Sequence, residues 1–320
     1  MTIRVSMTIG AFALAASAAF AQSDYPSQTI EINVGFAAGG PVDLATRAIA
    51  PFIEKHLDGT VAVINRPGAA GTVAAIETAN AEPDGYTIMM LSYPALVTAL
   101  YGVEEPPYTI DGLEFLGNVT SDPHNLFVNA DSPYQTLDDF LAAAREAPGE
   151  LNVNAAGVGG AAHLALLVFE SESGVDLNYV PADGGAGTLT QVLGGHVDAG
   201  ISTLSTLVPY VEENQMRLLA TFSAERNPQL PDAPTATEQG VNVEWGALRG
   251  FAAPAGLPED VKTALTEAID AAMHDPEFLA LAESQAIPLQ YMTGEEFRAA
   301  VEADVESLDE LWETSPWVVE

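Results

Sequence analysis

Apolar positions along the first hundred residues change period several times. "TIEINVGF" alternates as a strand does, and "PVDLATRAIAPFIEKHL" carries Leu44, Ala48, Ile49, Phe52, Ile53 and Leu57 at helical spacing. "VAVINRPG", "AAGTVAAIETANAEPDG" and "YTIMMLS" then read as strand, helix and strand, which completes a βαβαβ half. A second run starts near Pro133 with the helix "TLDDFLAAAREA" and the strand "LNVNAAG". It continues through "AAHLALLVFESESG", "LNYV", "GTLTQVLGG", "VDAGIS", "TLVPYVEEN" and "RLLATFS", again helix and strand in turn. This alternation predicts an α/β fold built from two halves. Past the turn-rich "ERNPQLPDAPTATEQG" come the strand "LRGFAAP" and helices starting near Pro258, Asp275 and Gly294. The last helix bears Phe297, Val301, Val305, Leu308 and Leu311 on one face, which needs a surface to cover.

Chain crossings between the halves are expected near Ser121-Asp122-Pro123 and between Trp245 and Gly250. If the C-terminal helices return to the first lobe, domain 1 is discontinuous, 22–122 plus 250–320, and domain 2 is 123–249. A simple tandem pair is the alternative.

The N-terminus follows a different pattern. Arg4, the apolar run "MTIGAFALAASAAF" and the ending Ala19-Phe20-Ala21 predict a secretory signal, residues 1–21, cleaved after Ala21. An uncleaved anchor is the alternative, although the run is short for a bilayer, and no later stretch approaches about 20 apolar residues. A periplasmic or released protein without membrane insertion is expected. There is no cysteine, so disulfides and thiol catalysis are excluded.

Charge narrows the partners. With 10 basic against 45 acidic residues the formal charge is −35, which repels nucleic acid and anionic lipid. Lys55 and Lys262 are the only lysines. Such a surface suits a saline exterior, where screening lengths shrink to roughly 3 Å at 1 M salt.

Two stretches carry candidate chemistry. In "VGFAAGGPVDLATR" a strand runs through glycines into a helix whose first turn begins at Pro41. The first amides of a helix lack internal acceptors, so such a junction holds carboxylate or phosphate, or merely turns the chain. The expected donors are Gly39, Gly40, Val42 and Asp43, with Phe36, Ala37 and Ala38 shaping the approach; Arg47 pairs with Asp43 along the helix. "NAAGVGGAAHLA" repeats the arrangement in the second half, and the two loops are expected to face one cleft. Here Gly157, Gly159 and Ala162 also fit a GxGxxA dinucleotide fingerprint, with Asp183 as a distant ribose-binding acid. A Rossmann oxidoreductase is therefore one reading, at odds with export. His163 contacts a ligand or caps its helix. His56, His124, His163, His196 and His274 show no metal-ligand spacing, no GxSxG elbow occurs, and Asp138/Asp139 and Glu295/Glu296 lie on polar helix faces.

Taken in order, "YPSQTIEINVGFAAGGPVDLATR", "NRPGAAGTVAA", "PDGYT", the second glycine loop with His163, "VPADGGAGTLTQVLGGHVDAG", "PDAPTATEQG" and "FAAPAGLP" resemble the solute-binding proteins of tripartite tricarboxylate transporters. The resemblance covers nearly the whole mature chain. It implies a two-lobed periplasmic-binding-protein fold of type II, each lobe a mixed sheet flanked by helices. It also implies a monomer without cofactor, metal or catalysis, which closes on a small carboxylate and delivers it to a permease of one large and one small membrane subunit. A signalling receptor with the same lobes is a further reading. Carried over by position, the ligand loops fall on Phe36, Ala37, Ala38, Gly39 and Gly40 with Asp43, and on Ala155, Ala156, Gly157, Val158, Gly159 and Gly160. Ser92 and Tyr93 follow at the cleft, as do Ala182, Asp183 and Gly184. The chain departs from many relatives, which have an aromatic and a lysine at Ala182 and Asp183. Arg249, in "LRG", either grips a carboxylate with its planar fork or forms an ion pair at the hinge.

Overall fold

A computed structural model of the chain describes residues 25–182, 184–227, 230–285, 287–314 and 316–317. The expected signal, its cleavage site and Asp183 lie outside the described residues. The first half comprises β1 (Ile30–Val34), α1 (Pro41–Leu57), β2 (Val61–Asn65), α2 (Thr72–Ala79), β3 (Thr87–Tyr93) and the short α3 (Ala95–Thr98). The long strand β4 (Leu113–Asn129) leads to α4 (Leu137–Glu146), β5 (Asn152–Ala156), α5 (Ala161–Ser173), β6 (Asn178–Ala182), α6 (Gly184–Leu193), β7 (Ala199–Thr203), α7 (Leu204–Glu212) and β8 (Met216–Thr221). The return strand β9 (Gly246–Pro254) precedes α8 (Glu259–Met273), α9 (Pro276–Ser284), β10 (Leu289–Thr293) and α10 (Gly294–Thr314).

Strands are ordered β2-β1-β3-β9-β4-β7-β5-β6, with β10 and β8 also paired to β4. β1, β2 and β3 are mutually parallel, as are β5, β6 and β7, while β9 runs antiparallel to both β3 and β4. The first part of β4 pairs with β9 and β10, and its last residues, from His124, pair with β7 and β8. One strand therefore belongs to both sheet regions, and the fold is the two-lobed α/β type. Ser121 lies opposite Leu248 and Asp122 opposite Ala247, so the two segments expected to carry crossings are neighbours.

The core is built on both sheet faces. On one, Ile49 and Ile53 of α1 meet Leu265, Ile269 and Phe278 of α8 and α9 over Ile30, Ile32 and Val34. On the other, Phe297, Val301, Leu308 and Leu311 of α10 join an apolar cluster that continues through Phe140, Phe169 and Phe222 of the second region. That is the surface the last helix needed; burial of each such phenylalanine contributes about 1.5–3 kcal/mol. A third cluster holds Phe127 with Leu189, Val192, Leu204 and Leu207.

Three expectations change. Residues 113–129 form one strand that runs through the crossing expected near Ser121-Asp122-Pro123; Pro123 lies where the β9 pairing ends, opposite Gly246, the first residue of β9. Leu44 is half exposed, and Val42 and Ala45 take its place on the buried face of α1. β10, unmarked in the sequence, pairs along β4.

Candidate functional site

α1 begins where Gly39, at φ +81°, takes a left-handed turn that a side chain would strain, and Gly40 caps the helix ahead of Pro41. The turn closes on itself. Gly40 N–H donates to Ala37 O at 3.2 Å, and Gly39 N–H donates to Asp43 Oδ2 at 2.8 Å. The second Asp43 oxygen accepts from Arg47 Nε at 2.9 Å and Asn65 Nδ2 at 2.8 Å, and Asn65 also reaches Phe36 O. Burial pulls the Asp43 carboxyl up, but the bonds from Arg47, Gly39 and Asn65 prevail and hold its pKa below the ordinary value. Two of the four expected donors, Gly39 and Gly40, are thus already engaged. Among the described residues, only the amides of Val42 and Asp43 in that set lack an acceptor. Ala37 and Ala38 are exposed and Phe36 half-buried, its ring against Gly71.

The loop before α5 has the same backbone. Gly159 has φ +70°, Gly160 caps the helix, and Gly160 N–H donates to Gly157 O at 3.2 Å. Gly159 N–H donates to His163 Nδ1 at 3.0 Å. His163 is therefore a capping group; its ring stacks on Tyr179 with centroids 3.9 Å apart, and burial pushes its pKa down to about 4. Gly157 N–H is held by Ala182 O, which joins this loop to the end of β6. Ala155 is buried, Ala156 half-buried, Val158 exposed, and Gly184 opens α6 at φ +73°. With Gly157, Gly159 and Gly160 amides all occupied, the GxGxxA match does not present the free amides that a pyrophosphate requires.

Between the lobes lies a cavity of about 580 Å³, lined by Pro41, Leu44 and Ala45 of α1, Thr120 and Asp122 of β4, Ser205 and Thr206 of α7, and Arg249 of β9, with Gln285, Ile287 and Pro288. Arg249 is 6% exposed. Its Nη1 approaches Asp122 Oδ2 at 3.6 Å and Thr120 Oγ1 at 3.5 Å, while Nε is buried and has no hydrogen-bond partner among the described residues. Asp122 also accepts from Ser205 Oγ at 2.5 Å and Ser205 N–H at 3.2 Å, a link from β4 to the first turn of α7. Burial, then the charge of Arg249, pushes the pKa of His124 down to about 3, so it is neutral. Ser92 faces Arg249 in the β3–β9 register, and Tyr93 is buried.

The cavity thus brings the α1 start together with Arg249, while Ser92 neighbours Arg249 in strand register and is not in the lining. The structure places the second glycine loop away from that cavity's lining, against Trp317 instead. Asp122, Ser205, Asn65 and Trp317 escaped the sequence reading, since their roles come from partners far along the chain. Asp122 alone had a signal, as the acid inside an expected crossing.

The model of the tripartite tricarboxylate transporter family receptor matches residues 45–311. The chain belongs to that family. A "UPF0065 protein in gbd 5'region" of Cupriavidus necator is 30% identical over 282 residues, covering 86% of this chain and 84% of the relative. A TctC solute-binding protein from Polaromonas superposes with TM-score 0.80 at 29% identity, over 91% of this chain and 99% of that one. MatC from Rhodopseudomonas palustris, solved with bound malate, superposes with TM-score 0.74 at 26% identity over 90% and 99% of the two chains. A second R. palustris protein, solved with adipate, reaches 0.77 at 25% over 91% and 98%. This family receptor is a solute-binding protein and not an enzyme, which removes the oxidoreductase reading. Among the described residues, no helix is long and apolar enough to cross a membrane, and no cluster of acidic and histidine side chains could hold a metal.

Proposed function

We propose that this family receptor is exported to the periplasm, captures a small organic di- or tricarboxylate, and as a monomer delivers it to a permease of one large and one small membrane subunit. The observation that carries the reading is Arg249, a guanidinium nine-tenths buried with Nε unpartnered, lining a cavity that also receives the first turns of α1 and α7. A buried cation with spare donors beside helix N-termini favours a carboxylate. Relatives solved with malate and adipate support that ligand class.

Residues 22–122 plus 250–320 form one lobe in this reading and 123–249 the other. They close about the paired segments of β4 and β9 and exclude water from the acid. The free amides of Val42 and Asp43 and the side chain of Ser92 serve the first lobe. Ala155 to Gly160, with Ala182, Asp183 and Gly184, serve the second. The charge of −35 does not oppose this, because salt screens long-range repulsion while amides act at contact.

A thermal-shift screen over organic acids tests the proposal. Several degrees of stabilisation by at least one di- or tricarboxylate, abolished in Arg249→Ala, is the expected result. Stabilisation by a neutral solute alone would overturn the carboxylate assignment, and unchanged affinity in Arg249→Ala would remove the arginine from the site.

A further inference from the structure

The cavity that holds Arg249 has an apolar wall. Pro41, Leu44 and Ala45 from the first turns of α1 form part of it, and Ile287 and Pro288, between α9 and β10, form the rest. Leu44 is 52% exposed, although Val42, Asp43 and Ala45 beside it in α1 are buried. A single leucine on a convex surface needs no explanation, but this one stands in a concave site. There a ligand can take it out of water.

The polar groups of the same lining are spent on one another. Ser205 donates to Asp122 through both Oγ and N–H, Thr206 Oγ1 shares a hydrogen bond with Thr203 Oγ1 at 3.0 Å, and Thr120 Oγ1 accepts from Arg249. The remaining neutral polar side chain, Gln285, is exposed. Arg249 is the one basic side chain in the lining among the described residues, and Asp122 stands 3.6 Å from it. The cavity therefore offers one cation to one carboxylate. A second or third carboxylate on a short skeleton would meet the wall or the charge of Asp122, and a hydroxyl set against the wall would lose its water without a partner.

We propose that the cavity selects straight-chain dicarboxylates by their methylenes, with Leu44 and Ile287 as the specificity-determining residues that cover the chain while one carboxylate lies at Arg249. This rests on the carboxylate-receptor reading above. A longer chain buries more of the wall and carries the second carboxylate away from Asp122, so length itself is what the site reads.

The test is calorimetric titration of the full chain with succinate, glutarate and adipate, which share two carboxylates and differ only in methylenes. Affinity is expected to rise about two- to fourfold per methylene, the upper value being that of a fully buried one. Malate, which is succinate with one hydroxyl, is expected to bind more weakly than succinate. Leu44→Asn is expected to flatten the series, weakening adipate about tenfold and succinate about twofold, and Leu44→Met to restore the slope. Because Leu44 is half exposed, the melting temperature of the unliganded variants is expected to hold. A flat series in the wild-type chain, malate tighter than succinate, or an unaltered slope in Leu44→Asn would overturn the proposal and leave a carboxylate receptor in place. So would binding of citrate with no member of the series bound. Binding of none of these acids would overturn both.

Discussion

In the loop before α1, Gly39 gives its amide to Asp43, while in the loop before α5, Gly159 gives its amide to His163 four residues on. The backbones coincide: the capping glycines have φ/ψ of −77°/166° and −77°/164°. The difference lies in the capping group. Asp43 brings a negative charge to the positive end of α1 and needs Arg47 and Asn65 to hold it, whereas His163 brings a neutral ring held by Tyr179. A carboxylate at a helix start already satisfies that helix's dipole. The first loop therefore carries its own charge at the helix start, while the first turn of α5 has no acidic side chain.

The strongest way to break the comparison is to add a methyl group at each left-handed glycine. Gly39→Ala meets nothing within 4 Å, so strain alone, about 1–2 kcal/mol, is expected. Gly159→Ala adds a clash with Trp317 and is expected to lose about 3 kcal/mol or more in urea denaturation. Equal losses would show that Trp317 does not press on the loop in solution.

Removing the capping groups comes next. Asp43→Ala strands Gly39 N–H, Asn65 and Arg47, and is expected to destabilise by about 2 kcal/mol, while His163→Ala strands one amide for about 1 kcal/mol. Urea midpoints for the two variants would give the order, and a reversed order would contradict the charge difference.

Acid should separate the loops as well. The unfolded His163 titrates near 6.5 and the folded one near 4, so the unfolded chain binds more protons between these values. Stability from the second loop is then present above pH 6.5 and lost as pH falls toward 4. That of Asp43, whose folded pKa is depressed, is present above its ordinary value of 3.8 and lost only at lower pH. His163→Asn is expected to flatten the melting temperature between pH 6.5 and 4, and Asp43→Asn to leave that interval unaltered. The smallest effect concerns both loops equally: raising salt to about 1 M screens the acidic surface and is expected to raise the melting temperature by a few degrees.

Both loops were legible because glycine reports backbone angles directly, and α1 spans Pro41–Leu57 as its apolar spacing predicts. The Asp43–Arg47 pair was legible for the same reason, being local. What closed each turn was not, since an aspartate or histidine four residues on is equally a ligand group until its hydrogen bond is seen. Arg249 left two readings open. The geometry gives it a long pairing to Asp122 and a spare nitrogen, a balance set by residues about 130 positions apart that no spacing rule connects. β4 was hidden because Pro123 and an expected crossing fall within it, and Trp317 because its neighbours arrive from three other parts of the fold.

Pro123 and Gly246 face each other where β4 and β9 pass between the sheet regions. Proline has no amide to give the ladder, and glycine has no side chain to brace it. The rung between them has no donor on its proline side. In the lobe closure proposed above, movement about this rung is expected to change the distance between one label pair spanning the cleft.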